Sequence, residues 1–183
     1  MAYGMSGRVF HAPFINTHPG FELTAVVERH DKKMAERYPD ISSYNHNEEL
    51  LRDKESGINI VNTPNNTHFD LAKRSLQAGK HVLVEKPIAA TVAEVKELFD
   101  LAREVGKQLM VYQNRRWDSD FLSVKEVIES GRLGQLIEVH FRFDRYKTTL
   151  SPKQFKETKS MAPNGLAYDL GPHLIDQDRK SVV

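Results

Sequence analysis

The chain has 183 residues, 39% of them hydrophobic and 28% charged, with 26 basic against 25 acidic side chains. That length holds one domain and part of another, and the ordinary composition excludes disorder, collagen and coiled coil. A net charge of +1 lacks the basic excess of nucleic-acid binders, the absence of Cys excludes disulfides and thiolate metal sites, and no apolar run nears a membrane span.

From Glu22 to Tyr112 short apolar runs alternate with amphipathic segments, the pattern of an open parallel sheet with helices on its faces. The runs Leu23 to Val27, Ile58 to Asn62, His81 to Val84 and Leu109 to Tyr112 are too short for helices. Their uniform apolarity predicts burial on both faces. Between them, Asp31 is expected to cap a helix carrying Met34 and Tyr38, and Asn66 one that stops at Gly79. Thr91 with Glu94 forms a capping box before Val95, Leu98, Phe99 and Ala102, which recur at helical spacing to Gly106. After a helix from about Ser119 to Ser130 the pattern changes. Over Gln135 to Lys147, Ile137, Val139, Phe141 and Phe143 alternate with polar residues, predicting a strand with one wet face. Thr148 to Asn164 reads as a mobile loop.

The residues able to carry chemistry follow the same order. Ala2 to Gly7 looks like G-x-G-x-x-G with Ala in the first glycine position. Gly4 would admit a pyrophosphate to the backbone, and Gly7 would let the next helix pack closely. A chance turn with two glycines reads the same way. Glu28 stands 21 residues after Gly7, the spacing of a ribose-binding carboxylate, or it is a solvated strand end. Thr63-Pro64-Asn65-Asn66-Thr67-His68 and Glu85-Lys86-Pro87 each follow a strand, where ligand crevices of such sheets lie; surface turn and helix cap are their bland readings. Arg115 and Arg116 beside Trp117 suit an anion site or a salt-bridge cluster joining domains. Asp169 and His173 share one helical face. Pro172 lacks an N–H, which predicts a helix starting close to Asp169. A neutral His near a helix start suits a general base, and a buried hydrogen-bonded His fits equally. The eight histidines show no paired metal-ligand spacing, so no metal is expected. No G-x-S-x-G elbow supports acyl chemistry.

Taken together, Tyr3-Gly4-Met5-Ser6-Gly7, the strand ending in Glu28, Thr63-Pro64-Asn65 with His68, Glu85-Lys86-Pro87 and Asp169-x-Gly171-x-His173-x-x-Asp176 resemble the Gfo/Idh/MocA oxidoreductases. Asn114 to Asp118 and Gly165 to Gln177 look most like the branch that includes scyllo-inositol dehydrogenases. The resemblance implies an NAD(P)-dependent enzyme that transfers a hydride between a polyol or sugar hydroxyl carbon and nicotinamide, in a site between two domains. It implies that His173 takes the hydroxyl proton, that Asp169 positions the substrate and His173, and that Lys86 holds the reacting oxygen and shares in proton relay. The cofactor, NADP or NAD, would meet Gly4, Met5, Ser6, Gly7, Glu28, Arg29, Thr63, Pro64, Asn65, His68, Glu85, Lys86, Arg115 and Arg116. Glu28 and Arg29 pull its choice in opposite directions, with a lean to NADP.

The expected fold is α/β: residues 1–117 form a doubly wound Rossmann-type domain lacking its first strand, and residues 118–183 begin an α+β substrate and oligomerisation domain. Members of the family are about twice this length, and Asp178 to Val183 departs from their pattern, so the chain reads as a fragment, expected to be poorly soluble and inactive by itself. A non-catalytic nucleotide-binding regulatory module is the alternative function, against which Lys86, Asp169 and His173 argue. The expected partner is a small polyol or sugar, with neither nucleic acid nor membrane, in a cytoplasmic protein that is a homo-oligomer at full length. The substrate's identity is not legible in these residues.

Overall fold

The structure, a computed structural model, describes residues 1–144, 146, 148, 149 and 163–181. The chain divides into two compact units, Met1–Val111 and Tyr112–Val183.

In the first unit the apolar runs become short strands. β1 (Ala25–Val27) pairs parallel with β2 (Ser42–Tyr44), and β3 (Ile58–Val61) pairs parallel with β4 (His81–Glu85), whose other side carries β5 (Leu109–Tyr112). In place of a first strand there is a single parallel bridge from Ala2 to Val27, whose N–H donates to Met1 O at 2.8 Å. Asn62 closes the other side: Ala2 N donates to Asn62 Oδ1, and Asn62 Nδ2 donates to Ala2 O, each at 2.8 Å. The side-chain amide thus imitates one peptide group of a strand. The sheet is correspondingly divided into a two-stranded and a three-stranded part.

A π-helical turn, Gly7–His11, leads into α1 (Ala12–Thr17); α2 (Asn47–Arg52), α3 (His68–Gln77) and α4 (Val92–Glu104) follow. The capping box of α4 forms as its residues predict: Glu94 N donates to Thr91 Oγ1 at 3.2 Å, and Thr91 N donates to the Glu94 carboxylate at 2.9 Å. Gly79 and Gly106 follow α3 and α4 at φ +74° and +64°, the left-handed region that ends a helix without a Cβ clash. α3 and α4 cover one face of the larger sheet, packing Ala72, Leu76, Leu98 and Ala102 on Val61, Val82 and Val84.

Burial on both faces holds for β1 but not for β3 to β5. Their other face, with Ile60, Leu83 and Met110, opens on a groove of about 630 Å³ also lined by Met1, Leu23 and Ala25. The helix expected after Asp31 is instead a series of turns, although Met34 and Tyr38 are buried in the core with Tyr3 and Val26. The Glu28 carboxylate accepts from the N–H groups of Lys33 and Met34, which fastens this segment in turns in place of a helical ladder. β2, read as Ser-Ser-Tyr, has no apolar run to announce it and exists through pairing with β1.

The second unit holds a 3₁₀ turn, Asn114–Trp117, with α5 (Ser119–Glu129) and α6 (Leu166–Ser181). The strand expected over Gln135 to Lys147 is not formed in residues 135–144, and Ile137 is 90% exposed. Alternation writes a strand's faces, but only lateral pairing makes the strand, and among the described residues none pairs with this segment. Residues 145, 147 and 150–162 lie outside the described residues, and with them most of the loop expected over Thr148 to Asn164. α6 starts at Leu166, earlier than Pro172 suggested, so the proline lies inside the helix. The missing N–H removes one helical bond, and the buried His173 and Gln177 and the ion pair of Asp176 with Arg116 fix the turn that follows.

Candidate cofactor site and active site

The glycine turn is built around close approach. A Cβ on Gly7 would lie 2.2 Å from Ala2 O, so only glycine lets the helical turn pack on the bridge residue Ala2. A Cβ on Gly4 would meet nothing within 4 Å, which leaves the outer side of the turn open to a ligand. Gly4 and Met5 are exposed, and Ser6 turns inward to donate to Glu85 Oε1 at 2.8 Å. The buried His11, which the sequence reading did not single out, lies on the same oxygen through Nε2 at 3.0 Å. Its signal was slight: a histidine one helical turn beyond Gly7. Burial by itself would raise the pKa of Glu85, but the hydrogen bonds from His11 and Ser6 and the nearby charges of His11 and Lys86 hold its carboxyl below the usual carboxylate range. Glu85 therefore ties the glycine turn to the end of β4, next to Lys86.

Glu28 is buried, and its own chain occupies it. Oε1 accepts from Lys33 N at 2.8 Å and Met34 N at 3.1 Å, and Oε2 accepts from Ser43 Oγ at 2.7 Å. Arg29, the next residue, is exposed at the end of β1.

The turn after β3 closes on itself. Thr67 Oγ1 donates to Pro64 O at 2.7 Å, leaving Thr63 Oγ1 to donate to Thr67 Oγ1 at 2.6 Å. Asn65 opens a 3₁₀ turn, Asn65–Thr67, and is half-buried. His68, only 1% exposed, stands behind this turn with Nδ1 2.7 Å from Pro87 O and Nε2 2.9 Å from Thr63 O. The structure thus gathers Ser6, His11, Glu85, Lys86, Thr63 and His68 about the carboxyl ends of β3 and β4, where the crevice of an open α/β sheet lies. These residues fit a dinucleotide: an open glycine turn, a fastened carboxylate and a cation at one sheet edge.

In the second unit Arg116 forms a bidentate pair with Asp176 of α6, and this pair raises the basicity of the guanidinium. Arg115 pairs with Asp118 at 3.1 Å and lies 5.1 Å over the Phe143 ring. Gln177 Nε2 donates to Arg115 O at 3.2 Å. Both arginines thereby tie the 3₁₀ turn to its own unit. On α6, Asp169 and the buried His173 stand one turn apart.

Residues 2–113 match the family model described as oxidoreductase family, NAD-binding Rossmann fold, and residues 121–180 match that of the GFO/IDH/MocA C-terminal domain. The second match takes in Asp178, Arg179 and Lys180, which the sequence reading set outside the family pattern. The uncharacterized oxidoreductase C115.03 of Schizosaccharomyces pombe is 44% identical over 179 residues, 95% of this chain and 48% of that protein. The scyllo-inositol 2-dehydrogenase (NADP(+)) IolW of Bacillus subtilis is 35% identical over 177 residues, 97% of this chain and 49% of that protein. A solved structure of an oxidoreductase from Bacillus cereus superposes with a TM-score of 0.82 at 37% identity, covering 96% of this chain and 50% of that one. The chain spans about half the length of the curated relatives it matches. Through both matches and a first unit built as a parallel α/β nucleotide fold, the chain belongs to the Gfo/Idh/MocA oxidoreductase family and carries its NAD(P)-binding Rossmann fold.

Proposed function

We propose that the chain is the cofactor-binding part of an NADP-dependent dehydrogenase acting on a hydroxyl carbon of a polyol or sugar. The observation that carries this reading is the open glycine turn fastened through Ser6 and Glu85 to the strand end that presents Lys86. When bound, the nicotinamide supplies the hydride acceptor. Lys86 holds the substrate oxygen and stabilises its developing negative charge. His173 takes the hydroxyl proton, and Asp169, one turn earlier on α6, orients it.

The lean to NADP rests on Glu28 and Arg29. A carboxylate already accepting three hydrogen bonds from its own chain is poorly placed to hold ribose hydroxyls or to repel a 2′-phosphate, and the exposed guanidinium beside it suits that phosphate. The name of IolW states the same cofactor. Fluorescence titration tests this: Arg29→Ala is expected to weaken NADPH binding by about tenfold or more and to leave NADH binding unchanged. Equal NADPH affinity in the variant removes Arg29 from the site, and a wild-type chain that binds neither nucleotide overturns the reading. The chemical step is tested in a protein of the relatives' full length carrying these residues, where His173→Ala is expected to lower polyol turnover by ~10²–10⁴-fold while NADPH affinity is kept.

A further inference from the structure

The Glu85 carboxylate is gripped by two groups from one short stretch of chain. Oε1 accepts from Ser6 Oγ at 2.8 Å and lies 3.0 Å from His11 Nε2, partners 79 and 74 positions away in sequence. The carboxyl is held below its ordinary range and is ionised at neutral pH, and an ionised carboxylate can only accept. The hydrogen of the second contact therefore sits on His11 Nε2. A neutral ring with its hydrogen on Nε2 supplies it and so does a charged ring, so the contact asks for no special state of the histidine.

Of the two donors, the imidazole is the one that can fix an orientation. A hydroxyl turns about its own bond and follows the carboxylate, whereas a planar ring enclosed in the core dictates where its partner lies. His11 also ends the π-helical turn Gly7–His11, closed by Ala12 N donating to Gly7 O, and such wide turns are rare and recur at functional sites. The other end of that turn is pressed against Ala2 O at Gly7, so the ring projects from chain that cannot shift cheaply. Glu85 is the last residue of β4, and Lys86 follows it directly.

We propose that His11 is a positioning residue of the cofactor site: through Glu85 it locks the end of β4 to the glycine turn, and so sets the distance from the turn that meets the diphosphate to Lys86 at the nicotinamide end. This deepens the reading of the chain as an NADP binder and rests on it. A nucleotide that reaches from the turn to Lys86 senses that distance. One that ends at the turn does not.

The test compares two substitutions of equal chemistry and unequal reach. The amide nitrogen of Gln can stand where Nε2 stands, and that of Asn reaches only as far as Nδ1. In titrations of the whole chain, His11→Asn is expected to weaken NADPH binding about tenfold and His11→Gln to bind within about threefold of wild type. Adenosine 2′,5′-bisphosphate, which lacks the nicotinamide half, is expected to bind all three proteins alike. Equal losses for both nucleotides in His11→Asn would mean a general loosening of the domain and overturn the positioning role, as would NADPH binding by His11→Asn at wild-type strength or a His11→Gln chain as weak as His11→Asn. With ¹⁵N-labelled histidine in the wild-type chain, Nε2 of His11 is expected at the shift of a nitrogen carrying hydrogen at neutral pH, and a bare Nε2 overturns the proposal with no variant needing to fold. A wild-type chain that binds neither nucleotide overturns the functional reading instead, while the Nε2 shift still decides whether the contact with Glu85 exists.

Discussion

Gly7 and Gly4 share one motif and do different physical work. The 2.2 Å approach of a Gly7 Cβ to Ala2 O involves backbone on both sides, so neither partner can move aside cheaply. Gly7→Ala is expected to destabilise the first unit by roughly 1–3 kcal/mol, read as a lower unfolding midpoint. Gly4→Ala, with open space around the new methyl, is expected to leave that midpoint in place and to weaken nucleotide binding. A Gly7→Ala chain that unfolds with wild-type stability would refute the packing account. The motif was legible in the sequence because glycine is rarely interchangeable. The motif's chemistry assigned packing to Gly7 and close ligand approach to Gly4; distance bears out the first, and the second belongs to the proposed function.

Between elements, the ties are side chains that stand in for backbone. Asn62, just after β3, bridges to Ala2, and Glu85 joins the glycine turn to β4. Because the carboxyl of Glu85 is held below its ordinary value of 4.5, its stabilising contribution is fully present above about that pH and is lost as pH falls through the lower value of the folded chain. Acid titration of stability is therefore expected to show a fall below pH 4.5 that is shallower in Glu85→Gln, and identical acid profiles would remove Glu85 from the tie. α6 shows an element surviving a local rule. Pro172 inside it removes one hydrogen bond, and the packed positions His173 and Gln177 and the Asp176 pair hold the helix together around that loss.

At the scale of the whole molecule, Ala2 bridges to β1 and is hydrogen-bonded to Asn62 just after β3, and beside this junction of the two sheet parts lies the 630 Å³ groove with Leu23, Ile58, Ile60 and Met110 along its walls. Strand edges beside apolar walls are templates for pairing with other chains. The chain is expected to associate as its concentration rises and to unfold with low cooperativity. Sedimentation velocity across a concentration series checks this, and a strictly monomeric species with a sharp unfolding transition would contradict it.

What the sequence determined by itself was whatever local chemistry dictates: the parallel α/β class, the capping box at Thr91, the helix stops at Gly79 and Gly106, and the positions of the glycine turn and of Lys86. These depend on apolar period, on caps and on φ, all written within a few residues. The tertiary structure alone decided the rest. Glu28 became a staple for its own turn because Ser43, fifteen residues away, is brought beside it by β1–β2 pairing. His68 met two carbonyls because the turns after β3 and β4 are neighbours only in the folded sheet. The alternation from Ile137 to Phe143 made no strand because among the described residues no partner lies alongside. Hydrogen-bond partners far apart along the chain are fixed by the folded sheet, and neither propensity nor spacing names them in advance.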